Sequence, residues 1–319
     1  MDRKGPRSPK VGLALWTFEG ITPDGMPRWS DLKAMAQRAE AVGFDSLWVP
    51  DHTLLAHPVV TGGARLAVWE CWSVLSALAA ATNDIELGTF VACASFRNPA
   101  LLAKMADTVD EISNGRLILG LGAGWVEAEF HAFGYPFDNL VSRFEEALQI
   151  IHPLLRKGAV DFKGKYYEAR DCELLRRGPR RTGPPIMIGA KPDRPRALRL
   201  TAQYADYWNV FPCSQPERIA PMREAVDAAC LKAGRDPATL QRTSTVLFDL
   251  PVTPKGASLA SWRNFRTASE PMSGSPQEIA ATLRAFARAG VGHVQVWLDP
   301  YSLAGIEAFA PVLELLDRH

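Results

Sequence analysis

Asp51 and His52 are adjacent and follow the apolar run Leu47-Trp48-Val49. A histidine titrates near neutrality and can pass a proton to or from a reacting atom, and a neighbouring carboxylate can orient it. The rival reading of the pair is structural, an aspartate capping a helix and a histidine bonded to backbone. Two glycine-containing turns, Gly122-Ala123-Gly124 and Gly189-Ala190-Lys191, also follow apolar runs. Turns of this kind expose backbone N–H groups that can hold an anion, phosphate above all. Cys93 has no histidine or lysine beside it in sequence to activate the thiol, so it is expected as a pocket-lining group rather than a nucleophile. Trp16, Trp48, Trp125, Trp208 and Trp297 all fall at or near the ends of apolar runs. Trp16 and Trp125 are the ones expected to wall a substrate pocket.

The elements needed to bring these groups together are strands alternating with helices. Residues 85–91 form an apolar, β-branched run, Pro99 opens a helical pattern that carries to Ile112, and Asn114-Gly115 stops it. A second apolar run, Leu117 to Leu121, leads into Gly122. Strands without polar alternation, separated by helices, are those of a parallel sheet covered on both faces. Further strands are expected at 11–18, 44–49, 184–189, 205–209, 243–250 and 293–298. Helices are expected at 31–42 with Ser30 as N-cap, and at 70–81, 139–157, 194–204, 217–233, 275 onward and 303–316. A small hairpin is expected at 160–167. Eight strands alternating with helices predict an α/β fold, a (β/α)8 barrel with insertions after strands 2, 4 and 7. Residues 1–10 read as a flexible leader and 11–319 as a single domain. The loops 53–68 and 251–273 are long enough to be lids. In such barrels the active site gathers at the C-terminal ends of the strands, which is where Asp51-His52 and both glycine turns fall.

Composition narrows the partners. Thirty-six Lys and Arg against thirty-five Asp and Glu give a formal net charge of +1, which offers no reason to expect nucleic acid or an anionic membrane surface. The arginines at 176, 177, 180 and 181 read as a solvated loop or as a patch for an anionic cofactor tail. The five cysteines and six histidines show no metal-ligand spacing, so no metal site is expected. No apolar stretch approaches the length of a membrane span, and a cytoplasmic protein is expected. No nicotinamide fingerprint opens a helix after the first strand.

With Arg97-Asn98-Pro99, Ser113-Asn114-Gly115-Arg116 and Gly122-Ala123-Gly124-Trp125 in order, the chain resembles the bacterial luciferase-like flavin-dependent oxidoreductases. It is most similar to the branch associated with the deazaflavin coenzyme F-420. The likeness runs from about Val11 to Val210 and resumes at 274–296. It implies the same (β/α)8 barrel, with His52 and Asp51 as catalytic candidates and His52 against the deazaflavin ring. It also implies a non-proline cis peptide at Phe90–Val91, with Thr89, Phe90 and Val91 carrying the ring. The phosphate would fall to Gly122, Ala123, Gly124, Gly189, Ala190 and Lys191. Relatives with a run of glycines near residue 189 differ from this chain, where Lys191 follows and could serve as the cation. The sugar-phosphate dehydrogenases of the superfamily carry a carboxylate where Trp125 stands, which argues against glucose 6-phosphate. The resemblance implies hydride transfer from reduced F-420 to a small organic substrate. The alternative is an FMN-dependent monooxygenase fed by a separate reductase, and a further one is a non-catalytic flavin-binding homologue. Relatives also suggest a homodimer.

Overall fold

The computed structural model describes residues 7–22, 25–57, 61–175, 177–210, 213–252 and 271–318. Its strands are β1 (Lys10–Ala14), β2 (Ser46–Val49), β3 (Glu86–Thr89), β4 (Ala92–Cys93), β5 (Leu117–Gly122), β6 (Ala159–Lys163), β7 (Glu168–Glu173), β8 (Ile186–Gly189), β9 (Tyr207–Val210), β10 (Gln241–Asp249) and β11 (His293–Asp299). All but β6 and β7 join one parallel sheet, in the order β3-β2-β1-β11-β10-β9-β8-β5-β4, and β5 pairs back onto β3 to close it. β3 and β4 are two halves of one stave, so the closed barrel has eight. The expected fold class is the observed one.

The stave that the sequence reads as one strand, 85–91, is broken in the middle. β3 stops at Thr89, the Phe90–Val91 peptide is cis, and pairing with β5 resumes at Ala92↔Leu121. Periodicity does not report such an interruption, because the stave is buried on both sides of it and shows no alternation to break.

The surrounding helices are α1 (Trp29–Val42), α2 (Cys71–Ala81), α3 (Pro99–Ile112), α4 (Glu127–Phe133), α5 (Leu140–Lys157), α6 (Pro195–Tyr204), α7 (Ile219–Lys232), α8 (Pro276–Arg288) and α9 (Leu303–Asp317). Local chemistry sets several ends. Asn98 Oδ1 accepts from the N–H of Ala100 at 2.9 Å and of Leu101 at 3.3 Å, with Pro99 in the first helical turn. Ser275 and Glu278 cap each other's backbone N–H at the start of α8. Ser30 is not the cap expected for α1. That helix begins two residues earlier, at Trp29, and Asp31 Oδ2 takes the Arg28 N–H at 2.9 Å. The helix α4 was not foreseen, since seven residues are too few to show a helical period.

Of the expected leader, residues 1–6 lie outside the described residues. Lys10 already belongs to β1, and the buried Arg7 pairs with Asp45 at 3.2 Å and Asp317 at 3.4 Å. The expected hairpin is longer, β6 against β7 in antiparallel register. Arg180 of the arginine cluster is held by Asp110, and Arg177 donates to the Leu155 carbonyl, so these two are tied into the fold rather than presented to a ligand. In the first long loop, Phe18 bridges Val68 and Leu55 bridges Leu66. Most of the second expected lid, 253–270, lies outside the described residues.

The barrel interior is layered. Trp48, Ile118 and Met187 form an apolar plug, with Phe90, Val91 and Tyr207 against it. The glycines at 12 and 88 make room for the Trp48 indole, because a Cβ at either would lie 2.2–2.4 Å from Ser46 or Trp48. At the N-terminal end, Ser46 Oγ meets His293 Nε2 at 2.8 Å and accepts from Trp48 Nε1 at 2.7 Å, with the Lys10–Glu86 pair at 2.9 Å nearby. Above the plug, Asn209 Nδ2 donates to Thr243 Oγ1 at 2.8 Å and Gln295 Oε1 at 3.1 Å.

Candidate active site

A cavity opens at the C-terminal mouth of the barrel. It is lined by Asp51, His52, Phe90, Val91, Cys93, Gly124, Trp125, Glu129, Gly189 and Asn209. Eight of these were expected from sequence, and they arrive from four separate staves, β2, β3–β4, β5 and β8. Glu129 and Asn209 were not. Asn209 interrupts the run Tyr207-Trp208-Asn209-Val210 at an inward position, a polar residue on a buried face that could have been noticed. For Glu129 there was no such signal, since Glu127 lies on the same short helix.

The adjacent pair Asp51-His52 divides its roles. The Asp51 carboxylate is buried and accepts from both terminal nitrogens of Arg97, at 2.6 and 3.0 Å, and from the Cys93 N–H at 3.0 Å. Arg97 reaches on to Glu70 at 2.6 Å. Burial by itself favours the neutral carboxyl, and the guanidinium and the N–H oppose it. The sequence expectation of a catalytic Asp51 meets a carboxylate whose oxygens are already taken up in ordering the mouth. His52 instead faces Glu129, with Nδ1 at 2.9 Å from Oε1 and 3.2 Å from Oε2. Glu129 also accepts from the Thr53 N–H at 3.0 Å and is 1% exposed. Phe18 and Trp125 flank the imidazole, with centroids 5.7 and 5.9 Å away.

The walls follow from close packing. Gly124 sits at φ +85°, and a Cβ there would lie 2.5 Å from Phe130 and 2.6 Å from the Cys93 sulfur. A Cβ at Gly122 would lie 2.8 Å from Val91, so the small residues of this turn admit the Phe90–Val91 segment. Burial pushes the Cys93 thiol well up, which keeps it neutral and makes it a wall rather than a nucleophile. Behind Asn209, in the barrel interior, Gln295 Nε2 is buried with no hydrogen-bond partner among the described residues, and so is Thr245 Oγ1. Native interiors seldom leave such atoms unpaired, and each one marks a place for a ligand or water.

Other expected residues lie elsewhere. Trp16 is buried against Trp297, 4.3 Å between centroids, and Phe18, 5.5 Å, so it backs the wall instead of lining the cavity. Its strand end turns inward under Tyr301, whose hydroxyl donates to the Trp16 carbonyl at 3.0 Å. Thr89 is buried in the barrel wall, its hydroxyl donating to the Gly120 carbonyl at 2.7 Å. Ala190 is buried, and its carbonyl accepts from Trp208 Nε1 at 2.8 Å. Ala123 and Gly122 flank the cavity without lining it. Lys191 is exposed on the rim beyond Gly189 and ion-pairs with no described residue. Arg196, another rim cation, is engaged by Glu145 at 2.6 Å. Among the described residues no three His, Cys, Asp or Glu side chains gather as a metal site, and no helix is long and apolar enough to cross a membrane.

A closed parallel (β/α)8 barrel with a mouth cavity, a paired histidine and a broken third stave defines a class of cofactor-dependent barrel oxidoreductase. The chain belongs to the luciferase-like monooxygenase family, whose profile matches residues 10–257. It is an enzyme of the flavin- or F-420-dependent oxidoreductase and monooxygenase type. It is 29% identical over 329 residues to the pyrimidine monooxygenase RutA of Stutzerimonas stutzeri, spanning 97% of this chain and 85% of that one. The RutA of Caulobacter segnis is 30% identical over 71% of this chain, which spans 64% of that relative's length. Among solved structures, an F420-dependent secondary alcohol dehydrogenase with an F420-acetone adduct superposes with a TM-score of 0.77 at 20% identity, over 98% of this chain and 99% of that one. A riboflavin lyase with modified FMN and riboflavin superposes with a TM-score of 0.78 at 14% identity, over 98% and 92%. Folds so nearly equal in likeness carry different cofactors, so the barrel alone does not choose between them.

Proposed function

We infer that the enzyme is a monooxygenase that takes reduced FMN from a separate reductase and oxidises a small, neutral, planar substrate. The observation that carries this reading is the His52–Glu129 pair at the lip of a cavity walled by Phe90, Val91, Trp125 and Asn209. An isoalloxazine has flat apolar faces and one edge of alternating hydrogen-bond donors and acceptors. Phe90, Val91, Gly124 and Gly189 would meet the faces, and Asn209 with Gln295 would meet the edge. Lys191 and the backbone after β8 would hold the phosphate. The bound flavin supplies the electrons and the reaction with oxygen.

The chain's own residues do the rest. His52 holds or moves a proton at Nε2, which has no partner among the described residues. Trp125 and Phe90 wall the cavity and keep water from the reacting atoms. Among the described residues no lysine lines the cavity, and Arg97 is committed to Asp51 and Glu70, which suits a neutral substrate. A pyrimidine, the substrate class in the name of the sequence relatives, is neutral and planar and suits these walls. Likeness in sequence to those relatives extends over most of the chain, whereas likeness to the F-420 enzyme is one of fold.

Hydride transfer from reduced F-420 is the second reading, favoured by the motif resemblance around Arg97 and Gly122. Titration of the apo-protein with FMN and F-420, each oxidised and reduced, separates the two. Tight binding of reduced FMN with oxygen uptake supports the monooxygenase. Binding of F-420 alone replaces it with the hydride-transfer enzyme, and binding of neither favours a non-catalytic homologue.

A further inference from the structure

The two carboxylates at the cavity have different partners. Asp51 faces a permanent cation, Arg97, while Glu129 faces only an imidazole and backbone or hydroxyl groups. A carboxylate that is 1% exposed must be hydrogen-bonded to be tolerated, and an ionised one only accepts. The contact at 2.9 Å therefore places a hydrogen on His52 Nδ1. Neutral imidazole carries one N–H and one lone pair, so the lone pair falls on Nε2. The other groups around the ring leave this assignment alone: Phe18 and Trp125 are aromatic, Cys93 is a neutral thiol, and Asp51 is turned to Arg97 with Glu70 behind it.

We propose that Glu129 is a positioning residue that fixes His52 as the Nδ1–H tautomer, so that the cavity meets a proton acceptor at Nε2. It also steadies the imidazolium once that atom is protonated. The substrate then presents an N–H or O–H to His52. That bond breaks, the proton goes to Nε2, and the electron pair stays on the substrate heteroatom. This deepens the reading of the cavity as the active site and rests on it.

Nitrogen-15 spectra of the imidazoles in the full-length apo-protein test the assignment, with the His52 signals identified by their loss in His52→Gln. The expected result is an Nδ1–H pattern in the wild type, kept in Glu129→Gln, whose amide oxygen can still accept, and lost in Glu129→Ala. An Nε2–H pattern in the wild type overturns the proposal without any Glu129 variant having to fold, and a pattern unmoved in Glu129→Ala does so too. FMN affinity, followed by fluorescence quenching, should stay within about twofold in Glu129→Gln. With uracil as the probe, kcat should fall by about 10²-fold in Glu129→Ala with KM little changed, the size of a lost acid–base contribution. A wild type that binds neither flavin nor F-420 removes the active-site reading, and the spectra then decide the role of Glu129 by themselves.

Discussion

At the N-terminal end of the barrel, Ser46 Oγ joins His293 Nε2 to Trp48 Nε1, with the ion pair of Lys10 and Glu86 nearby. At the C-terminal end, His52 has Nδ1 committed to Glu129 and Nε2 uncommitted among the described residues. Both ends use histidine and neutral hydrogen-bonding groups inside the same cylinder. In the lower set Ser46 takes up His293 Nε2 and full burial keeps the imidazole neutral. The upper set has capacity left over, and that surplus is what a ligand would use. Within the mouth the same contrast repeats between Asp51, saturated by Arg97, and Glu129, which leaves its histidine free to act at the far nitrogen.

The largest effect should come from breaking the closed part of the mouth. Arg97→Ala leaves Asp51 buried without its cation, and loss of one partner of a buried pair typically costs about 3–5 kcal/mol. Urea denaturation at neutral pH measures it, and an unchanged midpoint would show that Asp51 is not held by this pair.

Acidification tests the closed floor. Burial, with Lys10 adding to it, lowers the His293 imidazole to about 3 from the ordinary 6.5. The unfolded chain then binds a proton that the folded one refuses. Stability contributed by neutral His293 is complete above pH 6.5 and is lost progressively as the pH falls toward 3. Replacement by glutamine should flatten this part of the stability–pH curve, and identical curves for the two proteins would remove His293 as its cause.

Gly124→Ala forces a side chain into a left-handed residue packed against Phe130 and Cys93, at a cost of about 1–3 kcal/mol. Its melting temperature should fall together with flavin affinity, since the same turn walls the cavity. A fall in stability alone would separate the turn from the binding site. The smallest effect belongs to the rim. Lys191→Glu should leave stability within about 0.5 kcal/mol and weaken FMN several-fold, while riboflavin, which lacks the phosphate, binds as before. Equal losses for both ligands would remove the phosphate contact from Lys191.

How much of this was legible depends on the range of the forces involved. Alternating strands and helices, the Pro99 start, the Asn114-Gly115 stop and the Ser275 cap are set by residues within a turn of one another, so the sequence by itself determined the barrel and the order of its parts. The strand ends followed, because fold topology puts them at one mouth, where His52, Trp125, Gly124 and Gly189 line the cavity. Their partners did not follow. Glu129 meets His52 across 77 positions, Arg97 meets Asp51 across 46, and Trp16 turns under Tyr301 across 285. Each of those contacts depends on barrel closure and strand register, which no local pattern encodes. Neighbours in sequence, Asp51 and His52 could share one role or have two. Only the closed tertiary structure, by bringing a guanidinium to the first and a buried carboxylate to the second, decided that they have two.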